Sequence, residues 1–312
     1  MVICVIRGSL LKQVLRLRCA PHRMTERYLA RYLFVWSKVE AMIYLEHKPS
    51  PPLADCVRSL WYTSALQVPH ERERVLPNGC VQIVISLAAD TLTDCGVDSG
   101  EEALGVCRPM APAILVGARA RYDVIHMQDM AELVGVVFRP GGLAPWLRYR
   151  ADEFFERSVA IKDLWSVRDL RNRLREEATP VRKLAKLDLL LRESLCGREV
   201  ERRSMVKNAL LGLRRDSVRR TAQSLGVSER RLHQVFSEDV GLSPKAWSRI
   251  HRFQRAVRAL HVGEEMRWEQ LALACGYYDQ SHFSNDFRAF SGIDPTTYSA
   301  LRGRWRNHVA MD

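Results

Sequence analysis

The last third of the chain, from Ser217 to Leu301, contains one short unit twice, and this repetition limits what the chain can fold into. In the first copy Ala222 and Gly226 lie four apart, followed by Leu232, Phe236, Gly241, Pro244 and Trp247. In the second, Ala272 and Gly276 lie four apart, followed by Phe283, Phe287, Gly292, Pro295 and Tyr298. The small residues match at an offset of 50 and everything after the turn at 51, so the second copy has one more residue in its turn. Two copies in register must satisfy the same packing twice, which makes internal repetition stronger evidence than local propensity.

Each copy has the pattern of a helix-turn-helix. Ala222 and Ala272 allow a second helix to cross closely. Gly226 and Gly276 fall where the first helix must end, and glycine takes positive φ there without strain. Ser228 is an N-cap, with Arg231 where a capping box would prefer Glu. Leu232, Val235 and Phe236 share one face of the following helix, as do Phe283, Phe287 and Phe290. Between the copies, "SPKAWSRIHRFQRAVRALHV" is one long helix starting at Pro244, with Ile250, Phe253, Val257 and Leu260 as its apolar stripe.

The stretch "ALACGYYDQSHFSNDFRAFSGIDPTTY" (Ala272–Tyr298) resembles the signature of AraC/XylS-type transcription regulators, and "AQSLGVSERRLHQVFSEDVGLSPKAW" is similar to that family's first motif. The resemblance covers about a hundred residues. Asn285 departs from it where many members carry Arg or Lys, and Trp247 where Tyr or Phe is common. The resemblance implies a β sensor, then helices, then paired helix-turn-helices. It also implies two reading helices in adjacent major grooves on one face of double-stranded DNA, about 34 Å apart. One chain would then read two half-sites in the same direction. Residues from "PPLADCVRSLW" to "IKDLWSVRDLRNRL" also look like an uncharacterised N-terminal domain found in part of the family.

Charge follows the same division. The net charge of +12 splits into +6 over residues 1–50, −1 over 51–199 and +7 over 200–312. A near-neutral middle joined to a basic end suits a sensor attached to a polyanion-binding module. The expected class is α+β: a β-rich sensor domain over residues 42–199, an all-α DNA-binding domain over 200–303 with two helix-turn-helix motifs joined by a long helix, and a tail at 304–312. Residues 1–41 form a basic extension, read as dispensable in preference to a membrane-touching amphipathic helix. No stretch approaches the roughly eighteen apolar residues of a membrane span. A cytoplasmic location and no membrane partner are expected.

In the middle, "HKPSPPL" (47–53) marks a domain entrance, because its prolines block helix. "VRSLWYTSAL", Val81–Leu87, "AILVGARARYDVIHMQ" and "AELVGVVFRPGGLAPWL" carry short β segments with turns between them, as in a β-sandwich or barrel. From Ala151 the leucine spacing becomes helical.

The chemistry-bearing residues do not assemble a catalytic set. There is no G-x-S-x-G, H-E-x-x-H, P-loop or G-x-G-x-x-G after a strand. Eight cysteines, at 4, 19, 56, 80, 95, 107, 196 and 275, form no CxxC pair and no compact zinc set. They read as reduced structural thiols, with redox or metal sensing through Cys80, Cys95 and Cys107 as the minor reading. His126 reads as an ordinary strand residue. No enzyme, metal or cofactor is expected. An alkyl-acceptor DNA-repair protein needs an activated cysteine in a zinc-bound set, and Cys4 and Cys19 lack close Cys partners. A non-DNA-binding interaction adaptor is disfavoured by the basic reading helix.

In the first reading helix the outward residues are Ser228, Glu229, Arg230, Arg231, His233, Gln234 and Ser237, and in the second Asp279, Gln280, Ser281, His282, Ser284, Asn285 and Arg288. Arg suits guanine O6/N7 and Gln suits adenine N6/N7. Among these, Ser228, Arg230, Arg231 and Gln234, with Gln280, Ser281, His282, Asn285 and Arg288, are the expected DNA-binding set. His282 and Arg288 are assigned to phosphates, which take half or more of protein–DNA hydrogen bonds. RNA polymerase, a small-molecule effector and a second copy of the chain are the further partners expected.

Overall fold

The computed structural model describes residues 42–65, 70–95, 107–146, 149–163, 169–195, 200–262 and 267–311. The basic extension at 1–41 lies outside them. The N-terminal part is β-rich and the C-terminal part helical, as the sequence indicates. A six-stranded antiparallel sheet runs in the order β1 (Met42–His47), β2 (Val57–Ala65), β9 (Leu133–Phe138), β4 (Gln82–Ser86), β7 (Ala113–Val116) and β10 (Ser158–Ala160). The strand "LVGVVF" of β9 is almost wholly buried because it pairs on both edges and is covered on both faces. The proline stretch is not an entrance to the sheet. It connects β1 to β2, which pair from Met42↔Ala65 to His47↔Leu60.

A separate two-stranded ribbon joins β5 (Leu92–Asp94) to β6 (Arg108–Met110). Its register, Leu92↔Met110 to Asp94↔Arg108, puts Cys95 opposite Cys107, and the two sulfurs are joined as a disulfide. The reading of all cysteines as reduced thiols fails at this pair, because strand register and not sequence spacing brings the sulfurs together. Cys56, Cys80 and Cys275 are buried, and burial pushes the Cys80 thiol pKa up, which makes that thiol a poor nucleophile.

Helices α1 (Leu170–Arg175) and α2 (Pro180–Glu193) follow the sheet. Arg171 and Arg175 of α1 donate to the carbonyls of Ser86, Leu87, Ala88 and Ala89, holding the turn after β4. Then come α3 (Val200–Gly212), α4 (Val218–Ser224), α5 (Glu229–Val240), α6 (Pro244–Val262), α7 (Trp268–Cys275), α8 (Gln280–Ser291) and α9 (Pro295–Leu301). The expected long helix from Pro244 is α6, and its stripe of Ile250, Phe253, Val257 and Leu260 is buried.

The segment taken from the sequence as a tail returns to the β part. His308–Met311 forms β11, which pairs with β3 (Arg72–Val75), itself paired with β8 (Asp123–His126). Trp305 packs on Tyr44 with ring centroids 4.6 Å apart. Gln254 of α6 donates to the Pro77 carbonyl at 2.8 Å and to Asn307 Oδ1 at 3.1 Å. A four-residue strand is too short for alternation to reveal, and its partner lies more than two hundred residues away. One core therefore runs from Leu45 through Phe287 to Met311.

Candidate nucleic-acid interface

The second helices of the two repeat copies, α5 and α8, are built alike. Ser228 caps α5, its hydroxyl accepting from the Arg231 amide at 3.1 Å. Asp279 caps α8, accepting from the His282 amide at 2.7 Å. Each turn before them carries a glycine at positive φ, Gly226 at +67° and Gly276 at +87°. Each helix ends on another, Gly241 at +77° and Gly292 at +73°. Leu232, Val235 and Phe236 fill one side of α5, and Phe283, Phe287 and Phe290 one side of α8.

The C-terminal ends of both helices press on the β-rich part. A Cβ at Gly241 would sit 2.8 Å from the Ala151 carbonyl oxygen, and a Cβ at Gly292 would run into the Tyr122 ring. These are matching positions of the repeat. Each glycine therefore supplies a left-handed cap and a close approach at once, and the second role is not legible in the sequence. The N-terminal ends stay exposed, and those ends reach base edges in helix-turn-helix proteins.

On α5, Arg230, Arg231, His233 and Gln234 are exposed. Arg231 Nη1 donates to Gln234 Oε1 at 3.2 Å, and Gln234 Nε2 donates to Glu238 Oε1 at 3.1 Å. Glu238 in turn faces Arg150 at 3.8 Å, and Arg150 pairs with Asp152 at 2.6 Å. Two expected base-reading side chains are thus linked to a loop of the β-rich part. Ser228 spends its hydroxyl oxygen on the cap, leaving its O–H to donate.

On α8, Gln280, Ser281, Asn285 and Arg288 are exposed and His282 is half-buried. His282 packs edge-on to Tyr277 with centroids 5.3 Å apart and lies 4.0 Å from Asp286. Asp279 has its carboxylate committed to the cap. An open groove of about 920 Å³ between α7 and α8 is lined by Glu269, Leu273, Tyr278, Asp279, Gln280, Ser281, Ser284 and Asn285. Leu273 and Tyr278 are 62% and 85% exposed on it, an apolar rim that sequence reasoning missed.

Several basic side chains of α6 are structural. Arg249 forms a two-pronged ion pair with buried Asp286 of α8. Arg252 and Arg255 donate to the carbonyls of Gly276 and Ala274, at the C-terminal end of α7, where cations favour the helix dipole. Arg252 also lies over the Tyr277 ring at 5.3 Å. These contacts fix α7 and α8 on the connecting helix. From sequence alone the three arginines are indistinguishable from free surface charge.

The faces present guanidinium, amide, hydroxyl and imidazole groups, which can donate and accept hydrogen bonds. Residues 221–300 match the family described as "Helix-turn-helix domain", and residues 45–160 match "Domain of unknown function (DUF6597)". No curated protein matches the chain. Among solved structures, an AraC-type DNA-binding-domain regulator from Chromobacterium violaceum is 25% identical over 34% of this chain and 98% of its own, with a TM-score of 0.31. Unsaturated-fatty-acid-bound ToxT from Vibrio cholerae is 10% identical over 84% of this chain and 95% of its own, with a TM-score of 0.41. Among the described residues, no helix is long and apolar enough to cross a membrane.

Proposed function

We propose, for a chain whose C-terminal part is an AraC/XylS-type helix-turn-helix domain behind a β-rich domain, that it is a sequence-specific DNA-binding transcription regulator reading two adjacent major grooves. The carrying observation is the matched pair of capped helices whose N-terminal ends are exposed and whose C-terminal ends are anchored. Arg230, Arg231 and Gln234 suit guanine and adenine edges, and Gln280, Ser281 and Asn285 suit shorter polar contacts. His282 and Arg288 suit phosphates. The exposed Leu273 and Tyr278 suit a thymine methyl or a sugar face.

Control by a signal in the β-rich domain is supported by the route from Arg231 through Gln234 and Glu238 to Arg150, and by the contacts at Gly241 and Gly292. A small molecule that moved the Ala151 loop or Tyr122 would move the end of a reading helix. The reading is tested by measuring duplex affinity of the full chain against salt. With several phosphate contacts, log K falls by roughly 0.9 per contact for each unit of log salt. A flat response overturns DNA binding and favours an adaptor.

A further inference from the structure

The Cys95–Cys107 pair lies apart from the DNA-reading helices, and a third soft-metal ligand sits against it. His126, the last residue of β8, places Nε2 at 3.3 Å from Cys107 Sγ. The two sulfurs and the imidazole nitrogen all lie within 4.8 Å of one another. Cys107 is exposed while Cys95 and His126 are half-buried, so the cluster can be reached from solvent without unfolding.

We propose that Cys95, Cys107 and His126 form a zinc site when the two thiols are reduced, with water completing the coordination. The disulfide is the alternative state of the same atoms and excludes the metal. A tetrahedral zinc with sulfur ligands at about 2.3 Å holds two sulfurs roughly 3.7 Å apart. The sulfur–nitrogen separation already present is close to what such a centre needs. Two thiolates and one imidazole suit zinc above magnesium or calcium, which take oxygen ligands.

A dithiol reductant gives two electrons to the Cys95–Cys107 bond, its own two thiol protons pass to the freed sulfurs, and the reductant becomes a disulfide. Zinc then displaces those two protons and takes the neutral Nε2 lone pair of His126. Cys80, the other cysteine of the minor sensing reading, is buried and its thiol pKa is raised, so it is not recruited.

The location gives the site a mechanical consequence. The ribbon β5–β6 ends at the two cysteines, and β8 ends at His126. Strand β8 pairs with β3 through Arg72↔His126, and β3 pairs with the C-terminal strand through Met311↔Arg72. Zinc would clamp the ribbon to the end of the sheet that receives the last residues of the chain.

The test titrates the full chain, reduced with excess dithiol, with zinc and then with cobalt as a spectroscopic substitute. Wild type takes up one zinc per chain at this cluster and shows thiolate-to-cobalt charge-transfer absorption, and the oxidised chain shows neither. Cys107→Ser abolishes the cobalt thiolate signal of this site. His126→Ala, which leaves both thiols in place, weakens zinc at least tenfold, about 1.4 kcal/mol. If the reduced chain takes up no zinc, or if Cys107→Ser and His126→Ala bind as wild type does, the site does not exist. This outcome is independent of DNA affinity.

Discussion

His308 of the C-terminal strand hydrogen-bonds Glu73 of β3 at 2.8 Å across 235 residues of sequence, and the other carboxylate oxygen accepts from His70 at 2.7 Å. Burial works to raise the Glu73 pKa. The hydrogen bonds and charges of His308 and His70 outweigh it, and the carboxyl stays below its usual range. The last strand is thereby locked to the β-rich part by a group that is charged at neutral pH.

Glu73→Gln should therefore loosen β11 while preserving the shape of the side chain. The loss should be about 1–3 kcal/mol, the range for disturbing a buried charged hydrogen-bond partner. Because the folded pKa is lowered, the Glu73 contribution is present above the ordinary glutamate pKa and fades as pH falls through the folded value. Denaturation at neutral and at acid pH should show the variant's deficit shrinking at acid pH. A deficit that grew on acidification would contradict this role for the carboxylate. Trypsin should also cut the variant faster near Arg302, Arg304 and Arg306.

The four glycines of the repeat should not be equivalent to alanine scanning. Gly226 has a positive φ of +67° with no atom within 4 Å of an added Cβ, so Gly226→Ala should cost only the backbone strain, about 1–2 kcal/mol. Gly292→Ala adds a collision with Tyr122 and should cost clearly more, as should Gly241→Ala against the Ala151 carbonyl. Thermal unfolding of the three variants checks the order. Equal losses would mean that the helix ends do not dock as described.

The two reading helices should differ in what they contribute. Arg231→Ala should relax base preference in one half-site, with a loss of about 1–3 kcal/mol in discrimination. Asn285→Arg should tighten binding and steepen the salt dependence by up to about one counterion. Glu238→Gln removes the charge shared by Gln234 and Arg150, so it should alter the first half-site and leave the second unchanged. Selection of random duplexes with each variant decides between these outcomes. Equal changes in both half-sites would overturn the assignment of one helix to each groove.

His251 of α6 stacks on Trp247 with centroids 5.1 Å apart and is half-buried among arginines. Burial, then the charges of Arg214, Arg255 and Arg258, lower its pKa to about 4. The unfolded chain then binds this proton at higher pH than the folded one, so stability should fall as pH drops from about 6.5 toward 4. His251→Gln should flatten that part of the stability–pH curve, measured by melting temperature at a series of pH values. An unchanged slope would assign the acid sensitivity to other groups.

The repeat, the caps and the buried stripes were legible in the sequence because they depend on local conditions: Ser228 and the Arg231 amide are three residues apart, and Phe283 and Phe287 share a helix face by periodicity. The same holds for the β-rich middle, where short β-branched runs such as "LVGVVF" bounded by turn residues favour strands. What the fold alone decided are relationships between residues distant in sequence. Cys95 and Cys107 face each other through strand register, and His126 joins them from a third strand. Arg249, Arg252 and Arg255 look like free positive charge until α7 and α8 are packed beside them. Gly241 and Gly292 are marked in the sequence as matching positions of the repeat, while their left-handed caps and their contacts with Ala151 and Tyr122 are seen in the fold. Local propensity and periodicity act over a few residues and are written in the chain. Pairing across 235 residues, as between Glu73 and His308, is set only when burial of one shared core brings both ends of the chain together.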